Sequence, residues 1–304
     1  MRILITGAKG QLGHELRRLL ETGEAEIGPI PEALRGSEAV YIDVDELDIT
    51  DAAAVDAFFT KHDFDAVINC AAMTNVDGCE KAEEAAYRVN ALGPENLARA
   101  SAAQGAKFVQ VSTDYVFPGN EPGERVESDP TGPISAYGRT KLAGEELSLA
   151  ANPRTFVVRT AWLYGYVGKN FVKTMLRLAR ELGGMTVVDD QLGNPTSAND
   201  LAHEILRLIL TEEYSIYHCT NNGTVSWAGF ARAIVEGAGY DPAIVTSCTS
   251  DEYAAAHPEA ARRPLFSALR NAHLEQTIGD EMRPWQEALA SYLEKLPELG
   301  AERG

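Results

Sequence analysis

Arg2-Ile3-Leu4-Ile5-Thr6-Gly7-Ala8-Lys9-Gly10-Gln11-Leu12-Gly13-His14-Glu15-Leu16 is the stretch whose reading decides the fold. Ile3–Thr6 is an apolar run of strand length, and Gln11–Leu20 carries Leu12, Leu16, Leu19 and Leu20 at helical spacing. Between them stand Gly7, Gly10 and Gly13, separated by two residues each. Glycines here permit a tight turn and let the backbone approach a pyrophosphate, at which the helix N-terminus points its free N–H groups. Three glycines alone also describe a plain strand-to-helix turn, but the strand before and the helix after favour the phosphate reading.

Outward from this unit the chain keeps alternating. Strands are expected at Val40–Asp43, near Leu47–Ile49, at Asp65–Asn69, Lys107–Ser112, Thr155–Arg159 and Ser215–Thr220. Helices are expected at Ala52–Thr60 behind a Thr50-Asp51 cap, at Ala82–Gln104, from Tyr137 through Leu149, at Asn170–Leu182, Ser197–Leu210, Trp227–Glu236 and Pro284–Leu296. Apolar runs separated by helices predict an α/β fold, a Rossmann-type doubly wound parallel sheet covered on both faces. The less regular second half predicts a smaller C-terminal substrate-binding lobe. The expected division is a dinucleotide-binding domain over residues 1–160, with returning segments near 176–221, and a lobe over 161–175 and 222–304. Phe117–Pro133 is the one evident long loop, and long loops often lie over sites.

The chain has 304 residues and a formal charge of −18. That balance argues against nucleic acid, which demands a basic stripe, and against attachment to anionic lipid. No stretch reaches the roughly 20 apolar residues of a membrane span, and the N-terminal apolar run is too short for a signal peptide. Cys70, Cys79, Cys219 and Cys248 form no Cys-x-x-Cys pair, and the histidines lack a ligand spacing. Free thiols, no metal site and a cytoplasmic protein are therefore expected.

Several side chains carry chemistry. Asp43, at the end of the second strand, is placed to accept from a ribose hydroxyl, whereas Lys9 is placed to meet a 2′-phosphate. The two pull in opposite directions, so NADPH or NADH stays open. Tyr137 and Lys141 share one helix face, where an ammonium would lower the phenol's pKa and ready it to protonate a developing alkoxide. Thr113 or Ser112, at the carboxyl end of a parallel strand, would point a hydroxyl at a substrate carbonyl.

Thr6-Gly7-x-x-Gly10-x-x-Gly13, Asn69-Cys70-Ala71-Ala72, Ser112-Thr113-Asp114-Tyr115-Val116-Phe117 and Tyr137-x-x-x-Lys141 together resemble the extended short-chain dehydrogenase/reductases. Narrower motifs, Thr160-Ala161-Trp162-Leu163-Tyr164-Gly165 and Asp190-Gln191-Leu192-Gly193-Asn194-Pro195-Thr196, are similar to those of the branch that reduces dTDP-4-dehydro-L-rhamnose. The resemblance spans nearly the whole chain and fades after Cys248, apart from Arg263-Pro264. It implies Tyr137 as proton donor, Lys141 on the nicotinamide ribose and Thr113 on the C4 carbonyl. It places Gly10, Gln11 and Leu12 at the pyrophosphate, Asp48 and Ile49 about the adenine, and Ala71, Ala72, Met73 and Thr74 along the cofactor's other side. Asn90 would support the proton relay. Asp114, Tyr115, Trp162, Asn170 and Gln191 would hold the sugar nucleotide. Lys169, Lys173 and Arg263 are candidates for its phosphates. Met73 departs from the His or Tyr common in relatives. Some dimeric relatives bridge subunits through magnesium and glutamates; Glu15 matches one of these, but Asn199 replaces another.

The implied reaction is reduction of the C4 keto group of a dTDP-sugar by a monomer or homodimer. A dehydratase would need an Asp-Glu pair where Asp114-Tyr115 stands. A reductase of another dTDP-4-keto-6-deoxy sugar shares every motif. A non-catalytic NADP-binding regulatory subunit has no need of Tyr137 and Lys141.

Overall fold

The computed structural model describes residues 1–296. Its centre is a parallel sheet of six strands. These are β1 (Arg2–Thr6), β2 (Glu38–Ile42), β3 (Ala66–Asn69), β4 (Lys107–Thr113), β5 (Thr155–Thr160) and β7 (Ile216–His218), in the order β7-β5-β4-β3-β1-β2. The register sets Ile5 against Tyr41 on one side and Ile68 on the other, so the strand ends that follow open at the same edge. Ile3, Leu4 and Ile5 are fully buried, as expected of a strand covered on both faces.

Helices flank this sheet. α1 (Gln11–Thr22) ends at Gly23, whose left-handed backbone lets its N–H close on the Leu19 carbonyl. α2 (Ala52–Lys61) begins at Asp51, whose carboxylate accepts from the Ala53 and Ala54 amides. The strand expected near Leu47–Ile49 is absent. β2 is the sheet edge, and the chain beyond it loops back, burying Leu47 and Ile49 without a partner strand. An alternating apolar pair thus marks core contact here, not a ladder.

The helix expected over Ala82–Gln104 is real but interrupted. α4 (Glu83–Tyr87) and α5 (Gly93–Ala103) are joined by a π-helical turn, Arg88–Leu92, and preceded by a short helix not anticipated, α3 (Val76–Lys81). α6 (Ala136–Ala151) packs against this run, so closely that a Cβ on Gly144 would come within 2.1 Å of the Asn90 carbonyl oxygen.

A second apolar cluster gathers α7 (Phe171–Leu182), β6 (Met185–Val188), α9 (Trp227–Gly237), β8 (Val245–Cys248) and α10 (Trp285–Lys295). β6 and β8 pair in parallel, a ladder the sequence reading did not contain. The return to the sheet, expected near 176, begins instead at α8 (Ala198–Leu208), which packs on α1. Leu176, Ala179 and Val187 belong to the second cluster. Residues 297–304, assigned to the lobe by the sequence reading, lie outside the described residues. Arg283 ties the two parts together, donating to Glu26 at 2.9 Å and to Asp200 at 2.8 and 3.0 Å. The long loop 117–133 is stitched to residues 265–270, where Gly119 accepts from the Leu265 and Phe266 amides and Arg125 donates to Ala268. Among the described residues, no helix is long and apolar enough to cross a membrane.

Candidate active site

At the carboxyl edge of the sheet two cavities, of about 440 and 470 Å³, adjoin and share Gly7, Lys9, Gly10, Cys70 and Ala72. The glycine loop forms their common wall. Gly7 has φ +63°, and a Cβ there would lie 2.7 Å from the Ala71 amide nitrogen, so both conformation and space demand glycine. A Cβ at Gly13 would approach the Gly7 carbonyl oxygen to 2.5 Å, which fixes how closely α1 meets the loop. At Gly10 a Cβ would touch only that same carbonyl, at 3.2 Å, which leaves its other side open. Gly10 also supplies no side chain to cap α1, and no acid stands in the first turn. The amides of Gln11 and Leu12 therefore face the first cavity with their hydrogen-bonding capacity intact, as an anion requires.

The second cavity is lined by Asp43, Asp48, Ile49, Ala71 and Ala72, five of the expected cofactor residues. The Asp43 carboxylate accepts from its neighbour Val44 N–H at 2.9 Å and from the Lys9 amide at 3.0 Å, which fastens the glycine loop to the end of β2. The Lys9 ammonium pairs with Asp45 on the surface. Both arms of the expected contest thus stand at this end of the groove.

The first cavity runs from Gln11 and Leu12 to Thr74, Thr113, Asp114, Tyr137, Lys141 and Trp162. Thr113 ends β4; its hydroxyl donates to the Asp114 carboxylate at 2.9 Å and accepts from the Tyr115 amide. Ser112, the alternative to Thr113, is directed elsewhere: its hydroxyl donates to Glu145 inside the protein. Side chains alternate along a strand, so only one of the pair can face the groove. Burial pushes the Asp114 carboxyl up to about 6, the hydrogen bonds of Ser267 and Thr113 working against it.

Tyr137 and Lys141 sit in the first two turns of α6. The helix starts at Ser135, whose hydroxyl accepts from Gly138, and the Ala136 amide donates to Glu80 of α3 at 2.7 Å. The expected lowering of the Tyr137 pKa by Lys141 is not found. Burial pushes the phenol well above its usual range, and the Thr113 hydroxyl beside it opposes that only in part. The reason is geometric: the Lys141 amine donates to the Val111 carbonyl at 2.6 Å, and burial lowers its own pKa to about 8. Tyr137 is accordingly held as a neutral phenol, the form that can give a proton.

The remaining candidates fall into two groups. Asn90 is fully buried within the π-turn; its amide accepts from the Met73 N–H at 2.8 Å and donates to the Met73 carbonyl and Thr140 hydroxyl. It therefore shapes the loop that leads from β3 into α3, and Met73 and Tyr137 pack against the same cluster of Cys79, Ala86 and Ala136. Tyr115 meets Tyr137 edge to face at 5.7 Å, and burial raises its pKa. Met73, Asn90 and Tyr115 line neither cavity, and Asn170 and Gln191 likewise stand outside both. Asn170 caps α7 and donates to Gln11 Oε1 at 3.0 Å, while Gln191 donates to Ser250. Lys173 donates to the Tyr166 carbonyl, Arg263 lies 3.4 Å from Asp77, and Lys169 is exposed.

Glu145 and Arg159 were not singled out by the sequence reading. Both are buried, and Arg159 holds the Glu145 carboxylate with its Nε and one terminal nitrogen, Nη2, at 2.7 to 3.2 Å. The spacing Tyr137, Lys141, Glu145 continues one helix face and was the available signal. Trp227 was also missed. It stacks on Trp162 with ring centroids 3.5 Å apart, and Trp162 is the one non-glycine residue with positive φ, +46°, among the described residues.

The residues present fit a dinucleotide: a groove of two cavities, anion-ready amides at its middle, and a phenol, an amine and a hydroxyl at one end. Comparison with known proteins gives the same outline. The chain is 43% identical over 298 residues to dTDP-4-dehydrorhamnose reductase of Mycobacterium tuberculosis (strain H37Rv), covering 96% of this chain and 92% of that one. It superposes on the crystal structure of a dTDP-4-dehydrorhamnose reductase from Clostridium acetobutylicum with a TM-score of 0.89 and 46% identity, covering 97% of this chain and 99% of the other. The enzyme of that name from Bacillus anthracis, solved in complex with NADP, gives a TM-score of 0.87 and 38% identity over 97% and 99% of the two chains. The model of the family described as RmlD substrate binding domain matches residues 1–297, and the chain belongs to that family.

Proposed function

We propose that the protein is an NAD(P)H-dependent oxidoreductase that reduces the C4 keto group of dTDP-4-dehydro-L-rhamnose to give dTDP-L-rhamnose. The observation that carries the reading is the groove. It runs from Asp48 and Ile49, past the open amides of Gln11 and Leu12, to Thr113, Tyr137 and Lys141. The names of the relatives support the choice of sugar nucleotide.

In this reading the Gln11 and Leu12 N–H groups bind the pyrophosphate, Asp48 and Ile49 flank the adenine, and Ala71, Ala72 and Thr74 line the opposite wall, with Met73 packed behind them. Asp43 and Lys9 face the adenosine ribose, so both NADPH and NADH can be met there. Lys141 holds the nicotinamide ribose, and Asn90 keeps the Met73 loop against α6. The reduced nicotinamide, when bound, supplies the hydride. Thr113 turns its one O–H from Asp114 to the C4 carbonyl oxygen and polarises it. Tyr137, kept neutral by burial, gives that oxygen its proton. Trp162 closes the sugar end of the groove, with Asp114 and Tyr115 beside Thr113. Asn170 and Gln191 reach the nucleotide only if their present bonds to Gln11 and Ser250 are exchanged. We further propose that the protein works in the cytoplasm, as a monomer or homodimer, without a structural metal.

The test supplies dTDP-4-dehydro-L-rhamnose with NADPH and with NADH in parallel, follows cofactor oxidation, and identifies the sugar formed. Stoichiometric dTDP-L-rhamnose is expected. Cofactor binding without turnover would favour a regulatory subunit, and a different 6-deoxy product would move the assignment to another keto sugar.

A further inference from the structure

Behind the groove lies a polar cluster with no counterpart in the proton-transfer scheme. Ser112, Glu145 and Arg159 are all at most 3% exposed. Glu145 stands one turn beyond Lys141 on α6, Ser112 adjoins Thr113 on β4, and Arg159 precedes Thr160, the last residue of β5. One carboxylate thus joins the three elements that carry the groove's reactive end. Arg159 is held further by the Phe117 ring, 5.1 Å from its guanidinium carbon.

The charges facing Lys141 make the arrangement more than mechanical. On its own helix stand Tyr137, held neutral, and Glu145. From the turn after β3 comes Cys70, whose buried thiol is pushed up to about 12 and is neutral. From β4 comes the Val111 carbonyl, followed by Ser112 and, past Thr113, Asp114; from β5 comes Arg159, a second cation. α3 contributes the neutral Cys79 and also Glu80, whose carboxylate accepts from the Ala136 amide at the helix start; α4 contributes Glu83, paired with Arg139; and the π-turn contributes the neutral Asn90. Glu145 is therefore the anion that offsets two buried cations, and it favours the charged form of Lys141 against the desolvation that opposes it.

We propose that Glu145 is a positioning residue of the reductase site, clamping the ends of β4 and β5 to α6 and keeping Lys141 an ammonium where it meets the cofactor. This rests on the reading that the groove holds NAD(P)H.

The experiment measures NADPH affinity of the full chain by fluorescence across the range around pH 8. Wild-type affinity is expected to weaken as pH rises through about 8, as Lys141 loses its proton. Glu145→Gln keeps the shape but removes the charge, and should move that inflection down by about 0.5 to 1 pH unit, a loss of roughly 3- to 10-fold in affinity above the inflection. Glu145→Asp should follow the wild type. Arg159→Met leaves the carboxylate to Lys141 alone and should move the inflection up, which keeps the proposal testable if Glu145→Gln does not fold. Inflections of the folded variants that coincide with the wild type, even alongside lowered thermal stability, would reduce Glu145 to a structural residue and overturn the proposal. Failure of the wild type to bind NADPH would instead overturn the reductase reading on which it depends.

Discussion

The two ends of the groove are built by different means. At the pyrophosphate end the backbone does the shaping, through glycines within one seven-residue stretch, and Gly7 adopts its positive φ without steric cost. At the sugar end a tryptophan occupies the left-handed region, where a large side chain is strained. Trp162 is kept there by Trp227, 65 residues later in the chain, and by Gly193, where a Cβ would come within 2.6 Å of the indole. A local solution is written in contiguous residues, whereas a clamped one is written in distant pairs.

Substitutions can break this contrast at either end. Of the substitutions that test the two ends, the largest effect is expected at Gly7→Ala and Gly13→Ala, whose new methyl groups would collide with backbone. Strain of this kind costs about 1–3 kcal/mol per site, so NADPH affinity should fall by roughly 5- to 150-fold together with the melting temperature. Gly10→Ala sharpens the point, because its methyl group meets only one atom of the protein. It should melt as the wild type does while losing about tenfold in NADPH affinity, since the added group stands where the pyrophosphate approaches. Titration of cofactor fluorescence beside thermal melts separates the two outcomes.

Trp227→Ala removes the partner of Trp162. Aromatic pairs contribute about 0.5–1.5 kcal/mol, so the KM for the sugar nucleotide should rise roughly 2- to 10-fold with NADPH affinity unchanged. A matching loss of cofactor affinity would show that the two ends are not independent.

The contrast also explains what could be read from the chain. β1, the glycine loop, the Tyr137–Lys141 face and the strand-end Thr113 follow from periodicity and turn chemistry within short windows. Leu47–Ile49 misled because burial of alternate residues is also what a loop over the core produces. α3 is too short for a period to show. The β6–β8 ladder and the Trp162–Trp227 stack join residues about 60 apart, and no local pattern encodes such pairs. The Tyr137 pKa ran against expectation for a related reason. Spacing set Lys141 on the right face, but burial depth and the Val111 carbonyl are tertiary facts.

The smallest predicted effect concerns stability in acid. Burial, then the nearby Arg159, lowers the His218 pKa to about 3. Below its unfolded pKa of about 6.5 the unfolded chain binds the extra proton and the native protein does not. The His218 contribution is therefore present above that value and is lost as pH falls toward 3. His218→Gln should show a shallower decline in melting temperature between neutral pH and pH 5 than the wild type. An unchanged slope would assign acid sensitivity to other groups.

The most direct measurement of the central claim is turnover by Tyr137→Phe with NADPH and dTDP-4-dehydro-L-rhamnose. The phenol supplies the proton, so kcat should fall by about 10²- to 10⁴-fold while NADPH affinity and the sugar-nucleotide KM stay within a few-fold of wild type. Near-normal kcat in that variant would contradict the account.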